Sequence, residues 1–157
     1  MFSQALRFVR LPLLMLVIYA AARFTLGLAG VPYAPRGNAM FSVVGLTVIS
    51  GIYFGAVSGK VGGFNWKGTV LIGVLLGLFA QVLVLLATWI SYIGHLETYY
   101  IHWDALNVPE GTVPPMAQAM AARAGGLIAG PITGLLAVLI GRGLSFLAPS
   151  PSNRAVS

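Results

Sequence analysis

Apolar and polar positions alternate along this chain on one long scale. Four mostly apolar runs, residues 11–31, 40–59, 68–94 and 124–148, are separated by more polar stretches. A helix needs about 20 such residues to cross roughly 30 Å of hydrocarbon, so each run is predicted to be a transmembrane helix. The first connection holds Pro32, Pro35, Gly37 and Asn38, and the second holds Gly62, Gly63 and Asn65. Both read as tight links between antiparallel neighbours. The expected fold is an all-α integral membrane protein: an antiparallel bundle of four helices forming one domain over 1–148, with a short cytoplasmic tail at 149–157.

The third connection, 95–123, is longer and carries every acidic residue of the chain, Glu97, Asp104 and Glu110. Trp89, Tyr92, Leu96, Tyr99 and Trp103 recur at spacings of 3, 4, 3 and 4, which places them on one helical stripe. On that pattern the third helix continues outward to about Asn107, because Pro109 disfavours helix at Val108. A returning helix is then expected, capped by Thr112, with Pro114 and Pro115 in its first turn. Spans three and four thereby extend into an external helical hairpin.

Small residues repeat every four positions within the spans: Thr47, Gly51, Gly55 and Gly59 in the second, Gly73, Gly77 and Gln81 in the third, Gly126, Gly130 and Gly134 in the fourth. Four-residue steps stay on one helix face, and small side chains there let backbones approach closely. Tight helix pairing is expected along these ridges. A simple bundle needs fewer of them, so one ridge is a candidate docking surface for another subunit.

Composition changes the picture in one respect, the solvent. Of 157 residues, 58% are hydrophobic and 8% charged, against about 25% charged in soluble domains. A chain this short cannot hide that much apolar surface from water, so lipid must be part of its surroundings. The absence of cysteine excludes disulfides, Cys-ligated zinc, iron–sulfur clusters and covalent c-type haem. The formal charge of +6 comes from Lys and Arg scattered singly, without the basic-aromatic surface that nucleic acid needs.

Sorted by side, Arg7, Arg10, Lys60, Lys67, Arg142 and Arg154 fall together without an acid, while Arg36 and Arg123 share the other side with all three acids. The positive-inside rule then puts both termini in the cytoplasm, in the cell membrane. Arg7 and Arg10, the run 11–19 and the alanines at 20–22 also resemble a signal peptide with a small-residue cleavage site. Apolar character resumes from Phe24 through Val31, which favours an uncleaved first helix.

Arg23 lies twelve residues into the first span, and Ser50, Gln81 and Thr133 occupy similar depths in the others. An arginine at that depth costs about 2.5–3.5 kcal/mol on insertion scales. Pro131 also leaves the Leu127 carbonyl without its helical donor. Two readings of this midplane polar cluster follow. Either Arg23 is structural, held by Gln81, the hydroxyls and that carbonyl as interhelical glue or, with the first span shifted, reaching lipid headgroups, or the cluster binds an anion or a neutral solute. No Asp, Glu or His lies within a span, so the usual parts of a proton relay or cation-coupled transporter are missing.

The pairs His95/Glu97 and His102/Asp104 repeat at a distance of seven residues. On a helix that is two turns, about 10 Å, too far for both histidines to bind one metal. With Tyr99 and Trp103 they read as an interfacial belt whose carboxylates face water. No nucleophile–base set or phosphate-binding loop is visible, and no cofactor or metal is expected. The leading expectation is a non-catalytic structural or accessory subunit that meets lipid and other membrane subunits or itself. The alternative is a self-associating channel or carrier for an anion or neutral solute. A metal or haem protein using His95 or His102 is the third.

Overall fold

The computed structural model describes residues 1–33 and 41–148. Arg36, the turn residues Pro35, Gly37 and Asn38, Met40, and the tail 149–157 with Arg154 lie outside the described residues. Among those described, every regular element is helical: α1 (Phe2–Phe8), α2 (Arg10–Leu28), α3 (Val43–Ser58), α4 (Trp66–Ile93), α5 (Trp103–Leu106) and α6 (Met116–Gly143), followed by a 3-10 turn at Ser145–Leu147. Three helices, α2, α4 and α6, are long and apolar enough to cross a membrane. The second run gives a shorter apolar helix: the 16 residues of α3 reach about 24 Å at 1.5 Å per residue.

Local chemistry accounts for the boundaries. Pro12 has no N–H for the Phe8 carbonyl, and the α1–α2 kink falls at Val9, although bonds from the Val9 and Leu13 N–H groups still bridge it. Past the end of α2, Gly30 takes φ +69° while the Val31 N–H reaches back to the Leu26 carbonyl at 3.1 Å, closing the last turn. Ser42 and Asn65 cap α3 and α4, their side-chain oxygens each accepting a backbone N–H at 3.0 Å.

The helix expected to run on to Asn107 ends at Ile93. His95 adopts φ +50°, the Leu96 N–H turns back to the Ser91 carbonyl at 2.9 Å, and the Leu96 side chain folds over Gly94. A Cβ at Gly94 would stand 2.9 Å from Leu96 Cγ, so the missing side chain makes room for this closure. The Ser91 and Thr98 hydroxyls share a 2.7 Å bond that fixes the reversal. The chain beyond folds inward over α2: a Cβ at Gly27 would come within 2.6 Å of the Tyr99 nitrogen. The aromatic spacing therefore marks no continuous helix, and Tyr99 and Tyr100, adjacent in sequence, are both buried. On the return the helix begins at Met116 with Pro115 as its cap residue; the Thr112 hydroxyl instead donates to the Pro109 carbonyl at 2.6 Å.

Helix α6 lies against both α3 and α4. A Cβ at Gly51 would fall 2.6 Å from the Ala137 Cβ, and one at Gly73 2.6 Å from the Gly134 carbonyl. Gly55 abuts the Val138 backbone, Gly77 abuts Gly130, and Gly126 and Gly130 lie against the Gln81 side chain. Gly59 makes room for the Arg142 guanidinium. Leu16, Ile72, Leu76 and Val138 are wholly buried at the centre, whereas Ile49 and Ile128 are 68% and 70% exposed on the outside. One end of the assembly gathers basic groups: Arg142 donates to Ser58 and lies over the Trp66 ring, and Lys60 donates to the Ala148 carbonyl. The other end is closed by Tyr99, which donates to the Val31 and Pro32 carbonyls, and Tyr92, which donates to that of Pro114.

Candidate functional site

At that second end, α2, α4, α6, the start of α3 and the segment around Tyr100 border a partly open cavity of about 260 Å³. Its polar lining is Arg23, Tyr33, Ser42, Gln81, Tyr100 and Arg123. Arg23 projects from the last third of α2 toward the loop that follows it, where its Nη2 donates to the Tyr33 hydroxyl at 2.8 Å. The guanidinium carbon sits 5.3, 5.9 and 6.0 Å from the ring centres of Tyr33, Tyr99 and Tyr100. These are cation–π distances, worth about 0.5–2 kcal/mol each depending on desolvation. The partners expected from sequence, Gln81 and the Leu127 carbonyl, are replaced by tyrosines.

Arg123 enters from α6 and donates to the Tyr100 carbonyl at 2.9 Å. Its Nε is buried without a hydrogen-bond partner. Its charged neighbour is Arg23, and the other groups acting on it are tyrosines, Tyr33, Tyr92 and Tyr100. No carboxylate lines the cavity among the described residues, so two guanidinium charges share one partly enclosed space without a counter-charge there. The N-terminal turn of α3, through Ser42, Val43 and Val44, also borders it. The first N–H groups of a helix carry partial positive charge, so this end adds to the same potential.

Tyr100 fixes the floor of the inward segment, its hydroxyl donating to the Ala20 carbonyl at 3.1 Å. Burial pushes its pKa up to about 12, outweighing the opposite pull of Arg23 and Arg123, and keeps the donor protonated. Tyr33 is held in turn by His102, whose ring stacks on it at 4.2 Å and 9°. Burial first, and then Arg23, lowers the pKa of His102 against the opposing effect of Asp104, so it is neutral at pH 7. Neutral His102 can accept the Asp104 N–H at Nδ1, over 3.2 Å.

A second cavity of about 190 Å³ lies deeper, between α3, α4 and α6, lined by Thr47, Ala80, Ala129 and Thr133 among others. Val44 and Gln81 line both cavities, so Gln81 stands at their junction. Its amide makes no hydrogen bond within the described residues. Thr47 and Thr133 bond to the carbonyls of Val43 and Ala129 in their own helices. Gly77 and Gly130, whose backbones abut, also line this deeper cavity, which stays partly open past the exposed Val44 and Ala129. A third hollow, formed by Leu85, Leu86, Trp89 and Met120, has an almost wholly apolar lining and only the Trp89 ring nitrogen as a polar side-chain group to orient a ligand.

The sequence cluster is thus divided. Arg23 joins Gln81 in the outer cavity, Thr133 joins Gln81 in the deeper one, and Ser50 is buried away from both. His95 and Glu97 are exposed, far in role from His102, Trp103 and Asp104, which form the short α5 turn beside Tyr33. Among the described residues no three His, Cys, Asp or Glu side chains converge as a metal site would require. Sequence reasoning passed over Arg123, Tyr33 and Tyr100. The one signal for Arg123 was its place on the acid-rich side, shared with Arg36, while six other basic residues fall on the opposite side. No protein-family model, curated protein or solved structure matches this chain.

Proposed function

We propose that the protein is a four-span carrier that acts by binding a small anion rather than by covalent chemistry. The observation that carries this reading is the pair Arg23 and Arg123 lining one cavity with no carboxylate in its wall among the described residues. A merely structural arginine in a low-dielectric setting is ordinarily answered by an acid, since an unpaired charge is costly. Tyrosines hold these two in position and leave their charge unneutralised. The deeper cavity joined through Gln81 gives a bound anion a route toward the midplane.

In this reading α3 crosses with the other three helices, local thinning of the bilayer accommodating its shorter length. The basic end faces the cytoplasm with both termini, and the cavity opens outward. The glycine ridges act as packing surfaces within one chain. Gly51, Gly55, Gly73, Gly77, Gly130 and Gly134 all meet α3, α4 or α6, which weakens the accessory-subunit reading by leaving a partner no ridge to dock on.

Flux into reconstituted vesicles tests the proposal. Saturable anion uptake that Arg23→Gln abolishes, in protein that still assembles, is the expected result. Absence of uptake across several anions would refute it, and stoichiometric foreign subunits in gentle purifications would restore the accessory role.

A further inference from the structure

We propose that the Arg23–Arg123 cavity is built for a tetrahedral, doubly charged oxyanion: a phosphoryl group, whether free in solution or carried on a lipid headgroup. This rests on the anion-binding reading and adds the charge, shape and size of the ligand.

Charge comes first. Two guanidinium groups stay protonated under all ordinary conditions, and the α3 N-terminus reinforces them. A monoanion would leave about one positive charge unbalanced in a partly desolvated space, where an uncompensated charge is expensive. A dianion balances the pair.

Shape follows from the donors. Each guanidinium has five N–H groups in a rigid fork. Arg23 commits one bond to Tyr33, and Arg123 one to the Tyr100 carbonyl, with its Nε buried and unpartnered. The unbonded Gln81 amide adds two more N–H donors at the inner edge. Donors therefore outnumber acceptors, which calls for a ligand rich in acceptor oxygens. A planar carboxylate has one O···O edge and satisfies one fork bidentately. A tetrahedral phosphoryl group presents several edges, so forks arriving from α2 and α6 can each engage one.

Size completes the argument. A cavity of about 260 Å³ falls just below the roughly 300–1,000 Å³ of pockets for drug-sized molecules. It suits a phosphate monoester of a small alcohol and is too small for a nucleotide.

The test uses the full chain in phosphatidylcholine nanodiscs, titrated calorimetrically with four probes at about pH 8, well above the second phosphoester pKa of about 6. Methyl phosphate and sulfate, tetrahedral dianions, are expected to bind one per chain. Dimethyl phosphate, a tetrahedral monoanion, and acetate, a planar one, should bind at least roughly tenfold more weakly. Arg23→Gln and Arg123→Gln should each lose at least roughly tenfold for methyl phosphate, with Lys60→Gln unchanged. Arg23→Lys and Arg123→Lys keep the charge without the fork and should fall between, which keeps the test decisive should a glutamine variant misfold. Discs doped with phosphatidate distinguish the sources: loss of methyl phosphate binding there identifies a lipid headgroup, and unchanged binding a free phosphoryl ligand, either result supporting the proposal. Acetate or dimethyl phosphate matching methyl phosphate would overturn the ligand class and leave anion binding intact. If no probe binds a chain of normal helical content, both fall.

Discussion

Replacing Gly73 with alanine should destabilise the protein, while the same change at Gly125 should not. At Gly73 the new Cβ would lie 2.6 Å from the Gly134 carbonyl oxygen and 2.6 Å from Val138 Cγ2. Relaxed C···O contacts lie near 3.3–3.6 Å, so the shortfall is most of an ångström. Neither neighbour yields easily: one is main chain inside α6, and Val138 is fully buried. The helices must part, and a gap of about 0.5–1 Å forfeits a quarter to a half of the dispersion attraction between the atoms it separates. Overpacking of this kind costs about 1–3 kcal/mol, against about 1 kcal/mol gained because alanine is the better helix former. The net expectation is a loss of up to roughly 2 kcal/mol. At Gly125 a Cβ meets nothing within 4 Å, leaving only the propensity gain of up to about 1 kcal/mol. Reversible unfolding in mixed micelles by titration with dodecyl sulfate, followed by far-UV circular dichroism, measures both. Equal stability of Gly73→Ala and Gly125→Ala would refute the claim that backbone contact between α4 and α6 holds the fold together.

Tyr100→Phe removes the donor to the Ala20 carbonyl, which keeps its helical N–H from Phe24, so the same unfolding titration should show a loss of about 0.5–1.5 kcal/mol. Because the chain has no cysteine, single cysteines report topology directly: Val61→Cys should be shielded from an impermeant thiol reagent in intact cells and Gly111→Cys should react, the reverse pattern inverting the orientation. Since burial lowers the pKa of His102, the unfolded chain takes up its proton first. As pH falls below the ordinary histidine value of about 6.5, stability should therefore decline, levelling off below the folded value. Thermal unfolding across that range should show the slope in the native chain and a smaller one in His102→Gln.

The parts of the fold that were legible in the sequence are those decided by local chemistry. The run 68–94 became α4 within two residues at either end because Asn65 is a capping residue and Gly94 permits the closing turn. The start of the fourth helix was legible to within about three residues: a returning helix capped by Thr112 was expected, and α6 begins at Met116 with Pro115 as its cap residue. Gln118 and Arg123 end the apolar pattern without ending the helix, because a helix requires backbone bonds and not apolar side chains. The outward continuation of α4 was not legible. Its aromatic spacing satisfied the helical period, but His95 in the left-handed region and Leu96 folding over Gly94 end the helix, and no pattern announces a non-glycine residue at that position.

The site divides along the same line. Arg23 and Gln81 stood out because depth alone makes a polar residue conspicuous in an apolar run. Tyr100 and Arg123 reach Arg23 only after the chain reverses at Gly94 and folds inward over Gly27, so their convergence is a tertiary fact with no periodic trace. What distinguishes the resulting cavity from a structural ion pair is the kind of partner each arginine has. An aspartate where Tyr33 stands would hold the Arg23 guanidinium equally well and cancel its charge. A phenol supplies a neutral acceptor and a polarisable ring face, which positions the cation and leaves it available. The Tyr100 carbonyl does the same for Arg123. Two cations fixed by neutral groups, beside a helix N-terminus and an unbonded amide, form an electrostatically incomplete arrangement, and the free energy needed to complete it is what an incoming anion supplies.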